Sequence, residues 1–221
     1  MKKTLFAAAA FVALSMAATA QAAVITLTFE GIGDQQAIGN YYNGGAGTNY
    51  GVSFSGPTLA LIDADAGGSG NFANEPTKDT IMFFLQANNA ILDYAAGFTT
   101  GFSFFYTSST AATINVWSGV GATGSILGSI NLAAQHTANN CTGDPSGTFC
   151  NWDPIGVSFA GTARSIDFGG TANQTGYDNI TFGSSKPGSG AVPEPATWAM
   201  MLLGFGGMGA VLRSRRRFVA V

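Results

Sequence analysis

Positive charge is nearly absent from the middle of this chain. Between Ala23 and Ser185 the only bases are Lys78 and Arg164, against eleven acids, a net charge of −9. Nucleic acid is not a partner such a surface can hold, because backbone phosphates need a basic face. Histidine is limited to His136, in the polar stretch Ala134–Asn139, and cysteine to Cys141 and Cys150. No G-x-S-x-G motif, phosphate loop or clustered set of metal ligands stands out, so the common nucleophilic, phosphoryl-transfer and zinc chemistries lack their parts, and no catalytic residue is assigned. Amphipathic helical periodicity is also missing from this stretch, which excludes a bundle or an α/β fold.

Alternation with period two is what the middle of the chain does contain. Val24–Phe29 sets Ile25, Leu27 and Phe29 against Thr26 and Thr28. Further strands are expected at Thr58–Ile62, Thr80–Leu85, Ala90–Tyr94, Phe98–Tyr106, Thr113–Trp117, Ser125–Leu132, Ile155–Phe159, Ala163–Phe168 and Tyr177–Phe182. They are short, rich in β-branched and aromatic residues, and bounded by Gly, Asn, Ser or Asp. Such a series in one domain predicts an all-β, antiparallel β-sandwich, with a jelly roll as the first choice.

Both termini read as export signals. Met1-Lys2-Lys3 is a basic start, Leu5 to Ala18 is apolar, and Ala20-Gln21-Ala22 is an A-x-A site. This predicts a signal peptide over 1–22, cut by signal peptidase, with a cut after Ala20 as the alternative. The domain then covers 23–185, followed by a Gly/Ser linker at 186–192. Export makes a disulfide between Cys141 and Cys150 the natural use of an even pair, closing a short loop. At the other end, Pro193-Glu194-Pro195 precedes Trp198-Ala199, an apolar run from Ala196 to Leu212, and Arg213, Arg215, Arg216 and Arg217. As a helix the 17-residue run spans roughly 25 Å, enough for one membrane crossing with help from its flanks. The indole suits the interface and the arginines form a cytoplasmic stop.

Motif, span and arginine cluster, in that order over 193–217, resemble the PEP-CTERM sorting signal of Gram-negative bacteria, in its PEPxxWA variety. The resemblance implies that Pro193, Glu194 and Pro195 are recognised by an exosortase. It also implies a transient anchor in the inner membrane, then delivery to the cell surface or exopolysaccharide matrix.

Two carboxylates suggest a cation. Glu30 follows the first strand in Phe29-Glu30-Gly31, and Asp178 opens Asp178-Asn179-Ile180 in the last. Strand parity places Asp178 on the face of Ile180 and Phe182. Glu30 is out of phase with Leu27 and Phe29, so Gly31 must bend the chain. If the first and last strands pair, Glu30 and Asp178 meet, and structural Ca²⁺ is the natural counter-ion outside the cell. The two short motifs resemble those of calcium-bearing carbohydrate-binding jelly rolls. A second acidic loop, Asp63–Asn71, departs from an EF-hand, with Gly67 at position 5 and Asn74 at position 12.

Tyr41, Tyr42, Tyr50, Trp117 and Trp152 are candidates for stacking on sugars. The reading is therefore a non-enzymatic surface or matrix protein binding exopolysaccharide. The alternative is a secreted glycan-active enzyme, a carboxylate-based glycoside hydrolase or lyase.

Overall fold

A computed structural model describes residues 24–142, 147–188 and 204–205. Among the described residues nine antiparallel strands form the domain: β1 (Ile25–Leu27), β2 (Val52–Phe54), β3 (Thr58–Ile62), β4 (Thr80–Phe84), β5 (Asn89–Ser108), β6 (Ala112–Trp117), β7 (Ile126–Leu132), β8 (Asp153–Gly169) and β9 (Thr175–Phe182). The hydrogen-bonded order is β3-β4-β9-β5-β8-β6-β7, with β1 on β9 and β2 on β5. The expected all-β, antiparallel sandwich is what the chain forms.

Two strands make both layers. The expected pairs Ala90–Tyr94 with Phe98–Tyr106, and Ile155–Phe159 with Ala163–Phe168, are continuous bent strands, β5 and β8. Their shared ladder slips between Asp93 and Thr100. Gly97 takes φ +80° and Gly161 φ +94°. A side chain on Gly97 would also meet Thr162 Cγ2 at 2.5 Å. These bends let each strand turn a corner and pass from one layer to the other. The first half of β5 and the last half of β8 lie with β2, β6 and β7. The other halves lie with β9, which carries β4 and β1 on its far edge.

Phenylalanine fills the space between the layers. Phe102 and Phe104 from β5 each lie 6.0 Å, ring to ring, from Phe168 of β8, and Phe168 lies 4.9 Å from Tyr177 of β9. All four are fully buried. Each such ring removed from water stabilises the fold by about 1.5–3 kcal/mol before chain entropy is counted.

The first and last strands pair as expected, with Ile25 opposite Phe182 and Leu27 opposite Ile180. β1 ends at Leu27, short of the expected Phe29, because Phe29 itself turns to φ +64° while keeping its ring in the core. Beyond β9 the chain stays tied to the sandwich: Gly183 N bonds Gly101 O, and Gly188 N bonds Thr181 Oγ1. Ser103 Oγ donates to Ser184 O in the same region.

Among the described residues, no helix is long and apolar enough to cross a membrane. The leader 1–22, sorting residues Pro193, Glu194, Pro195, Trp198 and Ala199, and the arginines at 213 and 215–217 lie outside the described residues. So does the expected span Ala196–Leu212, apart from Gly204 and Phe205.

Candidate functional site

The face of β9 turned away from the phenylalanine core is not open to solvent. Asp178 projects there, with no exposure at all. This corrects the parity reading, which puts Asp178 beside Ile180 and Phe182. Tyr177, Ile180 and Phe182 form the core instead. A register shift between Ser103 and Phe105 gives β9 an extra residue, and Asn179 takes φ +50° to accommodate it. One inserted residue flips the alternation, so Asp178 faces the opposite way from Ile180.

Glu30 and Asp178 converge on one segment, Thr77–Thr80. Asp178 accepts Thr77 N–H at 2.9 Å, the Thr77 hydroxyl at 2.8 and 2.9 Å, and Asn179 N–H at 2.6 Å. Glu30 accepts Asp79 N–H at 3.2 Å and Thr80 N–H at 3.1 Å. Burial raises the Asp178 carboxyl to about 7, despite these donors, and the Glu30 charge adds to the rise. Sequence reasoning finds this pair, but not the loop that joins it.

The chemistry of the site fits a hard cation in part. Two carboxylates are present, and no lysine, arginine or histidine among the described residues bonds either. Calcium takes about six to eight oxygens, so peptide carbonyls and water would have to supply most of them. No group of three or more His, Cys, Asp or Glu side chains placed to hold a metal occurs among the described residues.

A second acidic patch lies nearby. Half-buried Glu75 is raised to about 7 by burial and by the charges of Asp63, Asp65 and Asp79. The Asp63–Gly70 loop closes on itself through Gly70 N to Ile62 O and Gly68 N to Asp63 O, both 2.8 Å. Asp34 caps it by accepting Ile62 N–H and the Ser69 hydroxyl.

Further along the same face of the sheet, a small cleft with room for little more than one water opens between β3, β4, β5, β9 and two crossing loops. Ile81, Phe83, Thr107, Thr175 and Gly176 line it from the strands, and Phe72 and Phe149 from the loops. The loops pair with each other: Phe149 N donates to Asn71 O, and Ala73 N to Phe149 O, both at 3.1 Å. The Cys141–Cys150 disulfide forms, with Cα atoms 5.1 Å apart, one residue from Phe149. His136 joins the same loops, its ring 5.1 Å from that of Phe149 and its carbonyl accepting Cys150 N–H. Phe72, Phe83 and Phe149 have no motif in the sequence. They come from separate segments, and only the fold brings them together.

The aromatic residues expected on the surface divide. Tyr42 is core, its hydroxyl accepting Phe29 N–H at 2.8 Å. Tyr41 and Tyr50 pack on Tyr42, with centroids at 4.9 and 6.2 Å. Trp152 turns inward, its ring against Phe72 and its N–H on Ala73 O. Trp117 is half-buried on β6. Tyr42 and Trp152 are thus structural, because their polar tips are spent on buried backbone.

Strands, corner bends and a loop-lined cleft define an all-β sandwich domain. The chain carries, in addition, a match over residues 191–217 to the family model of the PEP-CTERM protein-sorting motif. No curated protein matches the chain. Among solved structures, the chain is similar to CsCBM6-3 from Clostridium stercorarium in complex with cellobiose, at 14% identity and TM-score 0.39, covering 72% of this chain and 92% of that one. It is also similar to a carbohydrate-binding module of Cellvibrio mixtus lichenase 5A in complex with cellotriose, at 13% identity and TM-score 0.37, covering 72% and 96%. A third is a family 11 carbohydrate-binding module of Clostridium thermocellum in complex with a mixed-linked tetrasaccharide, at 12% identity and TM-score 0.33, covering 72% and 95%.

Proposed function

We propose that this chain is an exported protein of the cell surface or extracellular matrix. In this reading its leader 1–22 is removed by signal peptidase, and its tail 193–217 holds it in the inner membrane until an exosortase acts on Pro193-Glu194-Pro195. The domain of residues 23–185 then binds exopolysaccharide without catalysing a reaction. The observation that carries this reading is the sorting-motif match at 191–217. The carboxylates speak for a binding role over a glycosidase. A glycosidase needs two carboxyl groups flanking a bond in an open site. Here Glu30 and Asp178 are both engaged by N–H donors of one loop.

The test is to tag the chain, fractionate the producing cells, and co-sediment the purified protein with extracted exopolysaccharide. Enrichment in the surface or matrix fraction with saturable co-sedimentation is expected. Cytoplasmic recovery of the whole chain refutes the reading.

We further propose that Glu30 and Asp178 hold a structural Ca²⁺, supported by the burial of Asp178 and the nearby Glu30 charge. Such an ion would neutralise the pair and tie β1, the Thr77–Thr80 segment and β9 together. A ligand that binds only the folded state stabilises it by roughly 2.7 kcal/mol at a hundredfold excess over its dissociation constant. Melting temperature is therefore expected to fall by several degrees in EDTA and to recover in millimolar Ca²⁺. Equal melts in the two buffers remove the ion.

A further inference from the structure

We propose that Gly183–Gly188 is a docked strap that keeps the sorting motif close to the folded domain and so slows removal of the tail, an assignment that rests on the exosortase reading proposed above.

The strap lies across the outer face of the sheet. Phe102 and Phe104 of β5 belong to the core, so Gly101 and Ser103 face outward. Both are nonetheless buried, because the strap covers them. Gly183 N donates to Gly101 O and the Ser103 hydroxyl to Ser184 O, both at 2.9 Å. Gly188 N donates to Thr181 Oγ1 at 3.1 Å. Thr100 takes φ +75°, unfavourable for a β-branched residue, and its hydroxyl lies 2.7 Å from Gly183 O.

Two glycines make the seat. A Cβ on Gly101 would lie 2.6 Å from Ser185 N and 2.7 Å from Ser184 C, and one on Gly156 of β8 would run into Ser185 O. Neither glycine has a positive φ, so what each allows is the close approach of the strap. The grip on the strap is light. Its sequence, Gly-Ser-Ser-Lys-Pro-Gly, offers no large apolar side chain to bury. Hydrogen bonds hold it, and a segment held in this way opens more readily than the sandwich beneath it.

Docking shortens the reach of the tail. From Gly188 to Pro193 the chain takes five Cα steps, at most roughly 18 Å at about 3.3–3.6 Å per residue. With the strap released as far as Phe182, Pro193 is eleven steps away, or roughly 36–40 Å. A domain the size of residues 23–185 has a radius of gyration of roughly 15 Å. An enzyme that grips the motif of a docked chain therefore meets the bulk of the domain, and release of the strap removes that obstruction.

Pulse-chase of the full chain in the producing cells, together with hydrogen exchange of the purified, unprocessed chain in detergent, tests this. Gly101→Ala is expected to speed exchange at the Gly183 and Gly188 amides about tenfold or more, and tail removal about threefold or more. A Gly-Ser-Gly-Ser-Gly-Ser insertion after Gly190 leaves the seat intact. It should speed tail removal to the same extent without altering exchange, and adding Gly101→Ala to it should give no further gain. Ser103→Ala deletes one strap bond without adding bulk, and is read in the same way if Gly101→Ala fails to fold. Faster exchange with an unchanged rate of tail removal overturns the strap as a brake, and so does an insertion without effect. Unchanged exchange in Gly101→Ala overturns the seat. Absence of tail removal from the unaltered chain defeats the exosortase reading, and this role with it.

Discussion

A chain carrying Pro193→Ala together with Pro195→Ala is expected to be exported normally and then to keep its C-terminal tail. Proline fixes φ near −65° and biases the residue before it toward extended backbone, so the sequence predicts that helix is disfavoured at positions 192 and 194. The apolar run begins at Ala196. With alanines at 193 and 195, the helix expected there can grow backward through the motif and wind up the segment an exosortase would grip. The expected effect is a large loss of tail removal, since the motif would no longer be biased toward extended backbone. Mass spectrometry of the surface and membrane fractions reads it directly. Tail removal at the usual rate in the double variant defeats the exosortase assignment, and retention of the leader would show that export itself had failed.

The residues that carry the fold were legible where period two survives. β3, β4, β6, β7 and β9 begin and end close to where alternation places them, and the disulfide follows from compartment and spacing. β2 is three residues, Val52–Phe54, too short for periodicity to register. The corners in β5 and β8 read as turns because glycine serves both purposes: Gly97 and Gly161 bend a strand where the sequence suggests its end. The face of Asp178 was hidden for a related reason. A single left-handed residue, Asn179, reverses every orientation that follows, and nothing in Tyr177–Phe182 announces it. The cleft lies further out of reach. Thr107, Phe149 and Asn173 are far apart in the chain, and their meeting depends on how loops cross a sheet, which local patterns do not encode.

Asp178→Ala is expected to destabilise the domain by about 2–4 kcal/mol, a loss of roughly 10 °C in melting temperature. The alanine leaves Thr77 N–H and Asn179 N–H without their acceptor in a buried site. Asp178→Asn separates this structural role from the charge. The Asp178 carboxyl is raised to about 7 in the folded state, from an ordinary value near 4. Between those values the folded chain holds a proton that the unfolded chain has released. Stability without divalent cations is therefore greatest below about pH 4 and is lost as pH rises toward about 7. Glu75, also raised to about 7, acts in the same direction, with a smaller effect because it is half-exposed. Asparagine resembles the protonated acid and cannot ionise, so Asp178→Asn should flatten most of this slope. Melts from pH 4 to 8 in EDTA decide the matter: parallel slopes in the variant and the unaltered chain rule out Asp178 as their source. Calcium at the pair would favour the ionised form and shrink the loss.

β9 has one more consequence, and it is mechanical. The strand is hydrogen-bonded to β5 along one edge and to β4 and β1 along the other. Its early residues Thr175 and Gly176 line the cleft, and its last, Phe182, leads toward the C-terminal tail. If the chain is pulled at its C-terminal end, tension enters the domain through Gly183–Gly188 and runs into this one strand. Ladder bonds perpendicular to the strand then bear the load together in shear, instead of opening one at a time as in peeling. A domain pulled in this way resists without first unravelling along its last strand.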